Sequence, residues 1–325
     1  MHEITIGKND AGQRVDKFLT KSLGLPTGLL YKAIRTKKIK RNRKRTEPSE
    51  LLAEGDVLQC FLPEEFFAKQ AEDVSLSRVV PNLDILYEDE HLLLVNKRPG
   101  LTVHEDEHTS GDTLIVRIQA YLYQKGEYDP ASEQSFAPAL CNRIDRNTGG
   151  IVIAAKDAMT LRVMNEKIRG REIDKYYLCA VHGVPEPREA LLTGYLLKDE
   201  KNNRVKVYEK YPPKGAKEIR TKYRVLAVRG DISLLEVELL TGRTHQIRSH
   251  LAFIGHPLVG DGKYGINKED RERGYRYQAL YSYRLRFSFH GEPTPLDYLS
   301  GKEFSIPKDK IYFTKEFFEP GSERR

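Results

Sequence analysis

Cysteine is scarce in this chain: Cys60, Cys141 and Cys179 are widely spaced and odd in number. That argues against a disulfide framework and against a zinc site, and points to a reducing cytosol. Long apolar runs are missing as well. No stretch approaches the roughly 20 apolar residues of a membrane span. The opening Met1-His2-Glu3-Ile4 has no apolar signal core, so the expected location is cytoplasmic, with no membrane partner. No internal repeat and no long low-complexity tract is present. The most telling gap concerns one sign of charge: residues 31 to 45 contain no acid.

That stretch holds nine cations instead: Lys32, Arg35, Lys37, Lys38, Lys40, Arg41, Arg43, Lys44 and Arg45. Surface helices normally mix signs, because an unbroken positive run repels itself. The plainer reading is a solvated helix surface or an unstructured arm. A nucleic-acid contact explains the missing acids better, since each phosphate neutralised releases a counterion and strengthens binding. The formal charge of the whole chain is +7, which favours the same class of partner.

With 325 residues and 39% apolar content, the chain can bury a sizeable core in two domains. Residues 1–63 form the first expected unit. Val15, Phe18 and Leu19 give one apolar helical face; Leu29, Leu30, Ala33 and Ile34 give another. Glu54-Gly55-Asp56-Val57 turns into a short strand, Val57–Phe61. Residues 64–83 read as a polar linker, 84–318 as the larger domain, and 319–325 as a polar tail. In the larger domain, strands are expected at Leu92–Asn96, Ile151–Ala155, Tyr176–Val181 and Leu234–Leu240. Another runs through Tyr283, Leu285, Phe287 and Phe289, which alternate with Arg284, Arg286 and Ser288. Helices are expected over Thr113–Tyr123, after a cap at Asp157, and after a cap at Thr244. Gln124–Pro138 reads as loop. Many strands with few helices between them give an α+β class with a mostly antiparallel sheet.

Asn142-Arg143-Ile144-Asp145-Arg146-Asn147-Thr148-Gly149-Gly150 sets a carboxylate between two arginines just before the strand at Ile151–Ala155. Flanking guanidiniums favour the ionised carboxylate, which suits a nucleophile or base. A solvated turn with a surface ion pair is the commoner fate of such a cluster. A second segment runs Thr241-Gly242-Arg243-Thr244-His245-Gln246-Ile247-Arg248-Ser249-His250. The start of its helix is a natural anion site. Arg248 follows a core-facing Ile247 and can reach inward to a carboxylate. His245 and His250, five apart, lie on different helical faces, which favours hydrogen-bonded rings over a metal pair. His104-Glu105-Asp106-Glu107-His108 matches the HExxH zinc signature in form. Pro99-Gly100 upstream and Thr109-Ser110-Gly111-Asp112 downstream make it an acidic loop instead of the helix that zinc chemistry needs. Residues 198–224 carry ten Lys or Arg against four acids, an additional RNA contact or an exposed hairpin.

Two resemblances organise these segments. Arg14-Val15-Asp16-Lys17-Phe18-Leu19, Ile34-Arg35-Thr36-Lys37-Lys38-Ile39 and Glu54-Gly55-Asp56 resemble the S-four-type RNA-binding domain, a small α/β module. Residues 84–310 resemble the RluA family of RNA pseudouridine synthases. The marks, in order, are Tyr87-Glu88-Asp89, Val95-Asn96-Lys97, Arg143 to Thr148, Lys175-Tyr176-Tyr177, Val181-His182-Gly183, Thr241 to Arg248, His256 to Asp261 and Tyr264-Gly265. The family's fold is an α+β catalytic domain around a long mixed, mostly antiparallel sheet flanked by helices. The resemblance implies that Asp145 is the essential aspartate, Tyr177 the tyrosine that stacks on the target base, and Arg248 the arginine paired with the carboxylate. Arg143 is then the residue that fills the gap left by a flipped base. No metal or organic cofactor is implied.

Four positions depart from the family pattern: Asn142 for its histidine, Gly149 for its serine, Lys97-Arg98-Pro99-Gly100 for Lys-Pro-x-Gly, and Leu280-Tyr281-Ser282 for Leu-His-Ala. None removes a proposed catalytic group. The resulting expectation is an isomerase acting on structured RNA, with ribosomal RNA favoured over transfer RNA and no need for more than a monomer. A non-catalytic RNA-binding or ribosome-assembly factor of the same fold is the alternative that Asn142 and Gly149 leave open.

Overall fold

The computed structural model describes residues 1–67, 76–105, 111–199, 204–265 and 268–318. Two compact units emerge. The first comprises Met1–Pro81, Ile115–Ala139 and Ala155–Arg162. The second comprises Asn82–Leu114, Leu140–Ala154 and the chain from Val163 onward.

The first unit opens with β1 (His2–Thr5), α1 (Val15–Leu23), α2 (Thr27–Arg35), β2 (Ile39–Arg41), β3 (Lys44–Arg45) and β4 (Val57–Cys60). Its sheet has the order β1-β4-β2-β3, antiparallel throughout. The β2–β3 hairpin turns on Asn42 and Arg43, both at positive φ, the backbone a two-residue hairpin requires. Asn42 suits that conformation, and its side chain bonds the Asp56 carboxylate and the Val57 amide. Val15, Phe18 and Leu19 meet Leu30, Ala33 and Ile34 over Ile39, Leu58 and Cys60. Leu29 stays 38% exposed, because Leu30, Ala33 and Ile34 already fill the inward positions of α2. Residues far along the chain complete this unit. Asn9 donates to Glu133 at 2.8 Å, Ser135 to Asp10 at 2.6 Å, and Gln134 to the Thr5 carbonyl at 2.7 Å.

The remaining elements are β5 (Ile85–Glu88), β6 (Leu92–Lys97), α3 (Leu114–Gln124), β7 (Ala139–Leu140), β8 (Gly149–Ala155), α4 (Ala158–Arg169) and β9 (Ile173–His182). After them come β10 (Glu189–Asp199), β11 (Arg204–Tyr208), β12 (Lys217–Arg229), β13 (Ile232–Leu239), α5 (Gln246–Phe253), α6 (Lys268–Glu272), β14 (Leu280–Phe287), β15 (Glu303–Ser305) and α7 (Lys315–Phe318). Asp157 caps α4 as expected, accepting from the Thr160 amide at 2.8 Å. A mixed sheet of 11 strands runs β11-β10-β12-β13-β9-β14-β8-β6-β5, with β15 beside β14 and β7 beside β8. The β8–β14 pairing is parallel. β8 is buried along its whole length, and β9 becomes fully buried from Tyr177 to Val181. Those continuous apolar runs are what a central strand covered on both faces requires. The basic segment after residue 198 falls on β10, β11, β12 and the 209–216 connection, apart from residues 200–203, which lie outside the described set. The expected polar tail, 319–325, also lies outside it.

Candidate active site

The loop between Cys141 and Gly150 hangs on β8 and is tied down on several sides. Asn142 accepts from the Ile153 amide at 2.7 Å, so this departure from the family pattern anchors the loop to β8. The Thr148 amide closes the turn on the Asp145 carbonyl at 3.0 Å, and Gln278 donates to the Thr148 hydroxyl at 3.2 Å. Beneath the loop lies Lys97, only 1% exposed. Its Nζ donates to the carbonyls of Arg98 at 3.1 Å and of Leu101 and Arg146 at 2.8 Å. Three backbone carbonyls thus surround the amine. Burial pushes the group down to about 7, while Asp145 pulls it upward.

Two other departures prove to be coupled. Tyr281 lies opposite Gly149 in the β14–β8 pairing. A Cβ at Gly149 would overlap the Tyr281 ring, and one at Gly150, where φ is +118°, would overlap the Ser282 backbone. The larger ring is accommodated because the smaller residue faces it, and the Tyr281 hydroxyl donates to Asn96 at 2.7 Å.

Asp145 meets Arg248, which comes from 103 residues further along: the guanidinium donates to the carboxylate at 2.8 Å. The other edge of Arg248 forms a two-pronged pair with Asp261, at 2.7 and 2.8 Å. Asp261 is fully buried and also accepts from the amides of Lys263 and Tyr264. Burial opposes its ionisation, but the Arg248 fork prevails and holds it below the usual carboxylate range. Burial likewise works against the Arg248 charge, and the bonds to Asp261 and Asp145 outweigh it. The guanidinium therefore sits fixed between two carboxylates, one sealed and one facing the cleft. Neither arginine flanking Asp145 in sequence takes that part. Arg146 donates to the Gly100 carbonyl at 3.1 Å, and Arg143 lines the cleft.

The expected Thr244 cap is replaced by His245, which adopts the left-handed conformation at φ 52° before α5 begins at Gln246. The reason lies in Gln246. Its side chain bonds Thr241, the Arg243 amide, the Arg220 carbonyl and Thr221, which fixes the turn and leaves His245 to bend the chain. His250 is buried and bonds Thr221 at 3.0 Å. His245 bonds the Tyr264 hydroxyl at 2.9 Å through Nδ1, and its Nε2 lies 3.9 Å from Asp145.

Asp145, Arg248, His245 and Gln246 line a cleft of about 980 Å³ in the second unit. Tyr177 enters it from β9, 6% exposed, and burial pushes its phenol up to about 12. Six arginines (Arg143, Arg146, Arg243, Arg248, Arg271, Arg276) and three lysines (Lys175, Lys198, Lys263) line the cleft. The carboxylates among the lining residues are Glu105 and Asp145. His104 also lines it, and burial and Arg143 keep that ring from protonating easily. His108, the other end of the HExxH match, lies outside the described residues. No group of three or more potential metal ligands occurs among the described residues.

The nine N-terminal cations belong to the first unit, and they are not equivalent. Lys32, Arg35, Lys37, Lys38, Arg43, Lys44 and Arg45 are exposed, and Lys40 is half-buried with its amine over the Phe61 ring. Arg41 turns inward to Asp56 at 2.6 Å and Glu50 at 3.7 Å. No helix among the described residues is long and apolar enough to cross a membrane.

A carboxylate held on a buried guanidinium, in a cleft lined by nine cations and two carboxylates, is an arrangement suited to a polyanionic ligand. Comparison with known proteins gives the class. Residues 91–253 match the RNA pseudouridylate synthase family. A ribosomal large subunit pseudouridine synthase C of Vibrio vulnificus (strain CMCP6) is 32% identical over 304 residues, covering 90% of each chain. An RNA pseudouridine synthase of Mycoplasma capricolum is 30% identical over 305 residues, 93% of this chain and 96% of that one. Among solved structures, human RNA pseudouridylate synthase domain containing 1 superposes with a TM-score of 0.53 at 23% identity, over 72% of this chain and 94% of that one, a likeness of fold. The chain belongs to the RNA pseudouridylate synthase family and is an RNA pseudouridine synthase of the RluA type.

In the sequence, Lys97 and Asp261 stand within motifs but carry no evident role, and His245 reads only as a hydrogen-bonded ring. For Asp261 the available signal was an acid between two glycines, Gly260-Asp261-Gly262, after an apolar pair. For Lys97 it was a lysine ending a buried strand, where a charge needs several acceptors.

Proposed function

We propose that this enzyme converts specific uridines to pseudouridine in structured large-subunit ribosomal RNA, with Asp145 as the essential carboxylate. The observation that carries the reading is the Asp145–Arg248–Asp261 chain inside the cationic cleft. Relatives named as ribosomal large subunit synthases favour that substrate over transfer RNA. Nothing in the reading needs a partner subunit or a location other than the cytoplasm.

The chemistry suits one carboxylate. The glycosidic bond breaks, uracil rotates, and a carbon–carbon bond replaces the carbon–nitrogen bond. The product is an isomer, so no metal, organic cofactor or energy source is required. Asp145 either attacks the sugar or removes its proton while the base is detached. Arg248, held by Asp261, keeps the carboxylate oriented. The uridine must first leave its stack, at a cost of a few kcal/mol offset by contacts in the pocket. Tyr177 gives the extruded base an aromatic face, and Arg143 at the cleft wall fills the vacated place in the RNA. The N-terminal unit acts as an S-four-type RNA-binding domain. Its exposed cations among Lys32, Arg35, Lys37, Lys38, Lys40, Arg43, Lys44 and Arg45 contact phosphates, while Arg41 shapes the hairpin that carries them.

The test is direct. Ribosomal and transfer RNA pools from cells lacking this gene are incubated with the purified protein, and pseudouridine is mapped by carbodiimide-stop sequencing. New stops confined to large-subunit RNA are expected. Stops only in transfer RNA would overturn the substrate, and no stops in either pool would overturn the reading.

A further inference from the structure

Gln246 accounts for the backbone of His245, but the histidine ring has no part in the reading above. His245 lies in the left-handed region at φ 52°, where non-glycine residues are uncommon. Backbone strain of that kind is kept where the surroundings over-determine it, often beside a ligand. The surroundings here fix the ring by one hydrogen-bond chain. The Val205 amide donates to the Tyr264 hydroxyl at 3.0 Å. The hydroxyl, having accepted that bond, has its own proton to give, and His245 Nδ1 lies 2.9 Å away. With the hydroxyl donating that proton to Nδ1, Nε2 carries the ring hydrogen, the tautomer the proposal takes.

That Nε2–H points into the cleft, 3.9 Å from Asp145 Oδ2. The separation is too long for a hydrogen bond and leaves room for one atom to bridge the two groups. The bridging atom must accept from His245 and donate to Asp145. A phosphate oxygen cannot donate; a hydroxyl does both. Ring charge is disfavoured in this setting. Burial pushes His245 down to about 4, Arg248 and Lys263 add to that, and Asp145 and Asp261 oppose it. A neutral donor beside Asp145 reads a hydroxyl where the nine cations of the cleft read phosphate.

We propose that His245 is the ribose-reading residue of this site: its Nε2–H donates to the 2′-hydroxyl of the target nucleotide, whose own proton is accepted by Asp145. The proposal rests on the reading of Asp145 given above and names the sugar feature that the site requires. Tyr264 acts as a positioning residue, since it sets which ring nitrogen carries the hydrogen. The 2′-hydroxyl is also the group by which a protein distinguishes RNA from DNA at one nucleotide.

The experiment compares two hairpin oligoribonucleotides that span the mapped uridine. They are identical except that one carries a 2′-deoxyribose at that nucleotide. Equilibrium affinity is measured for the wild-type protein and for His245→Asn, His245→Gln and Tyr264→Phe. Asparagine suits the left-handed backbone but is too short to reach the bridge; glutamine extends a donor to the position of Nε2. Wild type is expected to prefer the ribose hairpin by roughly tenfold, the scale of one such bond. His245→Asn should bring the two affinities within about twofold of each other by weakening the ribose complex alone. His245→Gln should recover part of the preference, and Tyr264→Phe should reduce it. Nitrogen-15 spectra of the free protein should show the Nε2–H tautomer at neutral pH.

A wild-type preference that persists in His245→Asn would overturn the proposal, as would an equal loss on both hairpins, which is what a structural role gives. An imidazolium or an Nδ1–H tautomer in the spectra would also overturn it. Wild-type protein that forms no pseudouridine in either RNA pool would instead overturn the underlying reading, an outcome that product formation by the same preparation separates from failure of the His245 assignment.

Discussion

The arginines around Asp145 and the cations of residues 31–45 are both clusters of positive charge, yet they are built in opposite ways. Arg248 is 7% exposed and shared between two carboxylates, one of them sealed from solvent. Lys32, Arg35, Lys37, Lys38, Arg43 and Lys44 are exposed on α2, β3 and the turns between the elements of a small unit. The first arrangement fixes geometry: a desolvated guanidinium cannot move away from Asp145 without abandoning Asp261. The second gives affinity without fixed geometry, because each exposed cation acts on a phosphate through long-range attraction and counterion release. Arg41 marks the boundary between the two kinds. It lies within the basic stretch, but its pairing with Asp56 and Glu50 makes it resemble Arg248.

The largest effect is expected where a buried pair is broken. Arg248→Ala leaves Asp261 buried without its counter-charge, and stability should fall by about 3–5 kcal/mol with turnover lost. Arg248→Lys keeps the charge but not the fork; turnover should fall by at least about 10²-fold through misplacement of Asp145. Denaturation midpoints and single-turnover rates measure the two effects, and a lysine variant with wild-type turnover would end the geometric account.

A smaller effect is expected at the Gly149–Tyr281 pair. Gly149→Ser should destabilise by about 1–3 kcal/mol, since the new side chain overlaps the ring. Gly149→Ser combined with Tyr281→His should recover most of that loss, and a double-mutant cycle reads the coupling. Additive effects would show that the two departures are independent.

On the exposed side, replacing Lys32, Lys37, Lys38 and Lys44 by Gln should leave turnover at saturating RNA unchanged. The slope of log affinity against log salt should fall by about 0.7–0.9 for each phosphate that is no longer neutralised. Arg41→Gln should shift the denaturation midpoint and leave that slope alone. Point substitutions test this better than removal of residues 1–63, because Thr5, Asn9 and Asp10 are bonded to residues 133–135. A salt slope that follows Arg41 and ignores the exposed lysines would reverse the comparison.

A further effect concerns pH. Lys97 is drawn down to about 7 from its ordinary 10.5, so between those values the unfolded chain holds a proton that the folded chain lacks. This group alone therefore makes stability rise with pH across that window. Lys97→Met should flatten the rise, measured as urea midpoints at about pH 7 and about pH 10. An identical rise in the variant would assign it to other groups.

Much of this arrangement was legible in the residues. The apolar run at Ile151–Ala155 and the alternation from Tyr283 name two sheet strands, and Arg248 beside Ile247 points to an inward arginine. What stayed hidden depends on contacts between distant segments. Helix α5 begins at Gln246 instead of Thr244, because the Gln246 side chain is engaged by Thr241, Arg220 and Thr221, which no local pattern reveals. The arginines beside Asp145 looked like its partners, but the two-carboxylate demand is met from α5 and the Asp261 turn. Gly149 and Tyr281 read as separate oddities until the parallel pairing set one against the other.

The most direct test of the central claim is Asp145→Asn against wild type on unmodified ribosomal RNA, with pseudouridine mapped and RNA affinity measured on the same preparations. The account predicts no product from the variant, a loss of at least about 10³-fold in rate, with affinity within a few fold of wild type. Wild-type levels of pseudouridine from Asp145→Asn would contradict it.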